Sequence, residues 1–271
     1  MPELPEVEFA ARSLRRWLAD RTVQEVVAPA SRIFRGTDRK ALVRDLRGRR
    51  LEWIERRGKY LLIAWDRGVG LLSHLGMTGK WLRLPEHQDE ATHVRAELIL
   101  AEGGSVAYDD QRLFGRLTLH PAEELLDLPE IRALGPDPLI DGIDPGLLAE
   151  KFKKTSRSVK VALMDQRVLA GLGNIQTTEA LFLARIHPER EARSLSPEEV
   201  ERLVRAIEDT LQKTLDDIDG DLIAYVEEAG SHNPFQIYRR QGEACPRCGT
   251  TLEAMVLGGR TTVFCPRCQS L

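Results

Sequence analysis

CPRCGTTLEAMVLGGRTTVFCPRC, residues 245–268, carries all four cysteines of a 271-residue chain, so one explanation must serve for Cys245, Cys248, Cys265 and Cys268 together. The spacing, C-x2-C-x16-C-x2-C, is that of a four-thiolate zinc site, in which each Cys-x-x-Cys knuckle aims two sulfurs at one tetrahedral ion. Two disulfides are the alternative, against which a reducing compartment and the tight Pro-Arg knuckles weigh. Between the knuckles, residues 251–257 and 260–264 read as the strands of a hairpin turned at Gly258-Gly259. A module of roughly 30 residues has too little interior to fold on apolar burial alone, so one structural zinc ion would supply the folding energy. Four protein ligands leave no open position on the metal for chemistry.

Upstream of the hairpin, helical patterns run back to about residue 146, with candidate helices over 146–153, 157–165, 175–184 and 197–216. The last is opened by the cap signal Ser196-Pro197-Glu198-Glu199. The Pro-containing stretch Leu134-Gly-Pro-Asp-Pro-Leu139 reads as a linker. Before it the pattern changes to short alternating runs: 51–55, 60–65, 69–74, 94–100, 106–108 and 117–120, with turns at Arg67-Gly68 and Gly103-Gly104. The chain start is different again. Val7, Ala10, Leu14, Trp17 and Leu18 recur at helical spacing, and Pro5 suits a first helical turn. The expected fold is therefore α+β and multidomain. A leading helix on a two-layer β-sandwich (1–130) precedes a helical domain (131–230) and the four-cysteine hairpin (236–271).

Composition agrees with a folded chain of this size. Apolar residues at 42% and charged ones at 30%, with 6% aromatics, exclude disordered and collagen-like classes. No apolar run reaches the roughly 18 residues of a membrane span, and the first residues lack the basic-then-apolar layout of a secretory signal. A cytoplasmic protein without a membrane partner is expected, and a monomer. The net charge of −3 hides a strong polarity. Residues 31–60 hold eleven Lys or Arg against four acids, and 151–160 add five cations with no acid, whereas 197–230 hold eleven acids against three cations. Solvated faces are the plain reading of such runs; gathered by the fold, they would make a basic side able to take a polyanion.

Pro2 follows the initiator methionine directly, and removal of Met1 would leave a secondary amine as the chain terminus. Such an amine can form an iminium adduct at a sugar C1′, with the adjacent Glu3 handling the proton, although an ordinary helix start has the same residues.

The ensemble of motifs resembles the formamidopyrimidine-DNA glycosylase family along essentially the whole chain. The matching pieces, in the family's order, are PELPEVE (2–8), RRGKYLL (56–62), HLGMTG (74–79), DDQRLFG (109–115), LGPDPL (134–139), MDQRVLAGLGNI (164–175), EALF (179–182) and GGRTTVFCPRCQ (258–269). The resemblance implies a bifunctional DNA repair glycosylase and lyase, with an N-terminal β-sandwich, a helix-two-turns-helix domain and a zinc finger. Its partner would be duplex DNA carrying a damaged base or an abasic site.

It also implies roles. Pro2 would be the nucleophile, Glu3 the acid that protonates the opening deoxyribose, and Lys59 a phosphate contact supporting the transition state. Base extrusion leaves a hole in the duplex, and Met77 with Arg112 and Phe114 would fill it. His74, Lys160, Asn174 and Arg260 would bind DNA, the last three at phosphates.

The chain departs from the family pattern at several points. Gln111 and Leu113 stand where a proline and a second arginine are usual, and Gln176 where a tyrosine follows the isoleucine. Residues 226–237, VEEAGSHNPFQI, are shorter than the family's loop over an extruded base and lack its glycine-tyrosine-phenylalanine element. Two alternatives therefore stay open: an endonuclease VIII-like or divergent enzyme for pyrimidine, alkylated or abasic lesions, and a non-catalytic binder of DNA structure.

Overall fold

The computed structural model describes residues 2–84, 92–218, 225, 226, 228 and 230–271. They fall into two compact units, one made of 1–132 with 218–231 and the other of 133–217 with 232–271.

The first unit opens with helix α1 (Leu4–Leu18), which starts at Glu3 with Pro5 in its first turn and buries Val7, Ala10, Ala11, Leu14, Trp17 and Leu18. The strands that follow are β1 (Val23–Val27), β2 (Leu51–Arg57), β3 (Tyr60–Trp65), β4 (Val69–His74), β5 (Lys80–Leu84), β6 (Val94–Leu100), β7 (Ser105–Asp109) and β8 (Arg116–Pro121). They make two antiparallel four-stranded sheets, β1-β6-β7-β5 and β2-β3-β4-β8. Leu14, Trp17, Leu61, Ile63, Trp81 and Tyr108 belong to one core shared by the helix and both sheets. This is the β-sandwich with a leading helix that the alternating runs predict.

β3 reads as a continuous apolar run because it is covered twice. Its second face lies under the 3-10 turn Ala122–Asp127, which packs on β3 and β4. Helix α2 (Arg39–Leu46) and strands β1 and β5 are absent from the sequence reading, since eight or fewer residues with so few buried positions give no clear period. The short helix α3 (Pro129–Arg132) ends this stretch of the unit.

The boundary expected at residue 230 needs correcting, because the chain returns to the sheet unit after the long helix described next. The Tyr225 hydroxyl donates to the carbonyl of Gly79 at 2.7 Å, and Lys80 pairs with Glu228 at 2.8 Å while lying over the Tyr225 ring.

The second unit contains α4 (Pro145–Lys153), α5 (Val159–Leu163), α6 (Asn174–Leu183), α7 (Pro197–Asp217) and the hairpin β9 (Glu253–Leu257) and β10 (Arg260–Phe264). Helix α7 is amphipathic and buries Val200, Leu203, Val204, Ile207 and Leu211, leaving its acids outward. Helix α6 has no solvent face: every residue from Asn174 to Phe182 is buried, against α5, α7 and β10. Glu179 on α6 accepts the backbone N–H groups of Gln236, Ile237 and Tyr238, tethering the chain that leads into the hairpin. Among the described residues no helix is long and apolar enough to cross a membrane.

Candidate functional site

The head of α1 collects three acidic or nucleophilic groups in one turn. Pro2 and Glu3 are buried, and the Glu6 carboxylate accepts the Glu3 backbone N–H at 2.8 Å. Burial first, and the Glu3 charge second, push the Glu6 carboxyl up to about 7, so it holds or releases a proton near neutrality. Met1 lies outside the described residues. The turn between β2 and β3 is the two-residue Gly58-Lys59, with Gly58 at φ +54°, and it presents Lys59 half-buried.

His74 closes β4 within reach of the same charge. Its Nδ1 accepts the Gly76 backbone N–H at 3.1 Å, which leaves the ring proton on Nε2. Burial, then the positive charges of Lys59, Arg116 and Arg35, lower its pKa to about 4. The ring is therefore neutral at physiological pH, and a hydrogen bond donated from it carries no charge.

Met77 sits half-buried in the turn after His74, and Arg112 and Phe114 lie exposed in the loop between β7 and β8. Phe114 is 45% exposed, an apolar ring left in water, with the Arg112 guanidinium over it at 5.1 Å. One fully buried carboxylate joins the two loops. Asp110 accepts from the Thr78 hydroxyl at 2.6 Å, from Gly115 N at 2.8 Å and from Arg112 N at 3.2 Å. Gly76 packs so closely that an added Cβ would lie 2.5 Å from the Phe114 and Gly115 backbone, and its φ is +67°. The three residues expected to fill the duplex are thus carried on one locked pair of loops. Neither Asp110 nor Thr78 appears among the sequence candidates, because nothing local in DDQ or MTG announces a contact across 32 residues.

In the second unit Gln166 bridges Gly171 N and Leu172 O, holding the turn that delivers Asn174 to the first position of α6. Asn174 is 8% exposed. Its Nδ2 donates to Thr261 O of β10 at 3.0 Å, and its Oδ1 accepts no hydrogen bond among the described residues. Helix and hairpin are therefore pinned at the residue next to Arg260, which is exposed. Lys160 corrects the sequence reading. It is fully buried, its ammonium donating to Asn174 O at 2.7 Å and Thr178 Oγ1 at 2.5 Å, so it holds the start of α6 rather than reaching a phosphate. Gln176, at the family's tyrosine position, is also buried and donates to Thr214 of α7. Leu113 adopts φ +57° and packs on the sheet core, while Gln111 is exposed.

The four cysteine sulfurs lie within 4.8 Å of one another, Cys245 and Cys268 at 4.0 Å and Cys248 and Cys265 at 3.5 Å. A tetrahedral zinc ion with bonds of roughly 2.3 Å separates its sulfurs by about 3.8 Å, so the set fits one ion. Phe182, Ile237, Leu252 and Val263 pack around it, and the site is structural.

The formamidopyrimidine-DNA glycosylase N-terminal domain matches residues 1–117, the H2TH domain of the same enzymes residues 134–223, and the zinc finger found in FPG and IleRS residues 242–271. A formamidopyrimidine-DNA glycosylase of Bacillus cereus is 40% identical over 276 residues, covering 99% of both chains. The chain belongs to the formamidopyrimidine-DNA glycosylase family. Solved structures of the family's Lactococcus lactis enzyme are similar throughout. The complex of a mutant of that enzyme with Fapy-dG-containing DNA superposes with a TM-score of 0.89 at 32% identity, covering 100% of both chains. A complex with abasic-site DNA has a TM-score of 0.87 at 32% identity, covering 99% of this chain and 100% of that one. Within the family this chain is an enzyme with one structural zinc site.

Proposed function

We propose that the chain is a bifunctional DNA glycosylase and abasic-site lyase that excises oxidised or ring-opened purines from duplex DNA. The observation that carries the reading is the head of α1. A proline able to become the terminal amine is buried there with Glu3 and with Glu6, whose carboxyl titrates near neutrality.

The chemistry follows from these groups. The Pro2 amine, freed by loss of Met1, attacks C1′ and the bond from C1′ to the base breaks, the base leaving with the electron pair. Glu3 protonates O4′ as the sugar opens, and the nitrogen lone pair closes an iminium. Loss of a C2′ proton expels the 3′ phosphate, a further elimination expels the 5′ phosphate, and water returns Pro2. Lys59 and the neutral His74 donor hold phosphate. Met77, Arg112 and Phe114 occupy the space left by the extruded nucleotide. Asn174 and Arg260 grip the backbone, so binding weakens with salt. The zinc ion, when bound, supplies folding energy to the hairpin.

Every residue given a role comes from one chain, so a monomer suffices. A four-thiolate site is kept reduced in a reducing compartment, which supports the cytoplasm as its location. Excision from duplexes carrying single lesions tests the substrate class. Release of 8-oxoguanine or formamidopyrimidine opposite cytosine, above release of oxidised pyrimidines, is expected. Preference for pyrimidine lesions would move the chain to the endonuclease VIII-like alternative. Binding without excision of any lesion would leave only a structure-specific binder.

A further inference from the structure

Arg56 is a charged side chain that the chemistry above does not use, yet it is 2% exposed in the middle of the sheet unit. Its Nε pairs with the Glu8 carboxylate on α1 at 2.8 Å, and its Nη1 donates to the carbonyl of Gly58 at 3.3 Å. Glu8 in turn accepts from Arg12 at 2.8 Å. Burial works to raise the Glu8 carboxyl, but the hydrogen bonds from Arg56 and Arg12 outweigh it and keep Glu8 ionised. Close by, Arg15 donates twice to Ile54 O of β2, at 2.9 and 2.7 Å. The helix capped by Glu3, directly after Pro2, is thus joined by ionic and polar contacts to the strand whose end turn holds Lys59.

Burying two charges is expensive, and well-packed hydrophobic replacements of buried ion pairs are often neutral or stabilising, so stability alone does not account for the pair. What an apolar pair cannot do is fix a distance and a direction at both ends. The planar guanidinium reaches the helix with one nitrogen and the turn with another; a lysine ammonium is a single point and cannot reproduce that span.

We propose that Arg56, held by Glu8, is a positioning residue. It sets the Gly58-Lys59 turn against the head of α1, so that the Pro2 amine and the Lys59 ammonium address the same nucleotide. This rests on the function proposed above for Pro2 and Lys59. The cost of misplacing reacting groups by about 1 Å reaches 100-fold, whereas DNA affinity, spread over many contacts, should hardly move.

The test uses the full-length, zinc-loaded, Met1-free protein and an abasic-site duplex. It measures the single-turnover rate of borohydride-trappable adduct formation and the DNA Kd for wild type, R56K and the double variant E8Q/R56M. The double variant removes both charges of the Arg56–Glu8 pair together and guards against a folding failure in R56K. Both folded variants are expected to trap about 10–100-fold more slowly with Kd within about twofold of wild type. A loss of packing alone would lower melting temperature and affinity together. Wild-type trapping rates in either folded variant overturn the positioning role, as does a rate loss matched by an equal loss of affinity. Failure of wild type itself to trap would instead overturn the proposed chemistry.

Discussion

Thr78→Val separates the two loops that carry Met77, Arg112 and Phe114 while changing almost nothing else. Valine is nearly isosteric with threonine, so no cavity opens. What is lost is the 2.6 Å hydrogen bond to the buried Asp110 carboxylate and the 3.1 Å acceptance of Arg112 N. A hydrogen bond to a charged group contributes about 1.5–3 kcal/mol. Arg112 N keeps Asp110 Oδ1 at 3.2 Å, and Thr78 is half-buried, so water recovers part of the loss. The net cost of holding the loops together is then about 1–2 kcal/mol. If the locked pair is the form that invades the duplex, that cost lowers excision by about 5–30-fold. The assay is single-turnover release of a damaged base, run beside thermal unfolding and zinc content. Wild-type excision by a folded T78V protein would refute the claim that Asp110 couples the loops.

Glu6 is raised from 4.5 to about 7 in the fold. Its contribution to stability, about 3 kcal/mol, is therefore full below pH 4.5 and lost as pH rises through 7; wild type should lose stability relative to E6Q between pH 5 and 8, and melting curves that stay parallel would show this to be wrong. His74 has the opposite sign, since its pKa falls to about 4: its contribution is full above pH 6.5 and lost as pH falls through 4, which melting of wild type beside H74Q across that range would register. Lys160→Met should weaken DNA binding without altering the slope of log Kd against log salt, because the ammonium is buried on Asn174 O, whereas Arg260→Ala should reduce that slope by about one ion. Chelation of zinc should unfold the hairpin, release the Asn174 contact at Thr261 and reduce DNA affinity; unchanged affinity in metal-free protein would contradict the role given to Arg260.

The parts of this fold legible in sequence are those with a strong period or a fixed spacing. The cysteine knuckles, the amphipathic α1 and α7 and six of the eight sandwich strands all have one. β1, β5 and α2 do not, because each buries too few side chains to show which face is inward. Site residues divide in the same way. Pro2, Glu3, Lys59 and the loop residues stand in recognisable motifs. Lys160 shares a basic run with lysines 151, 153 and 154, and only packing under α6 distinguishes it from them. Asp110, Thr78, Glu6 and Tyr225 owe their importance to partners distant in sequence or to burial, neither of which a linear pattern records.

The chemistry proposed for Pro2 has one direct test: borohydride trapping of the Met1-free protein on an abasic duplex and on a duplex with 8-oxoguanine opposite cytosine, followed by peptide mapping of the adduct. Adducts are expected on both duplexes, with the modified mass confined to the N-terminal peptide that begins at Pro2. An adduct on a lysine, or retained trapping after an extra residue is added before Pro2, would rule out the Pro2 amine as the nucleophile.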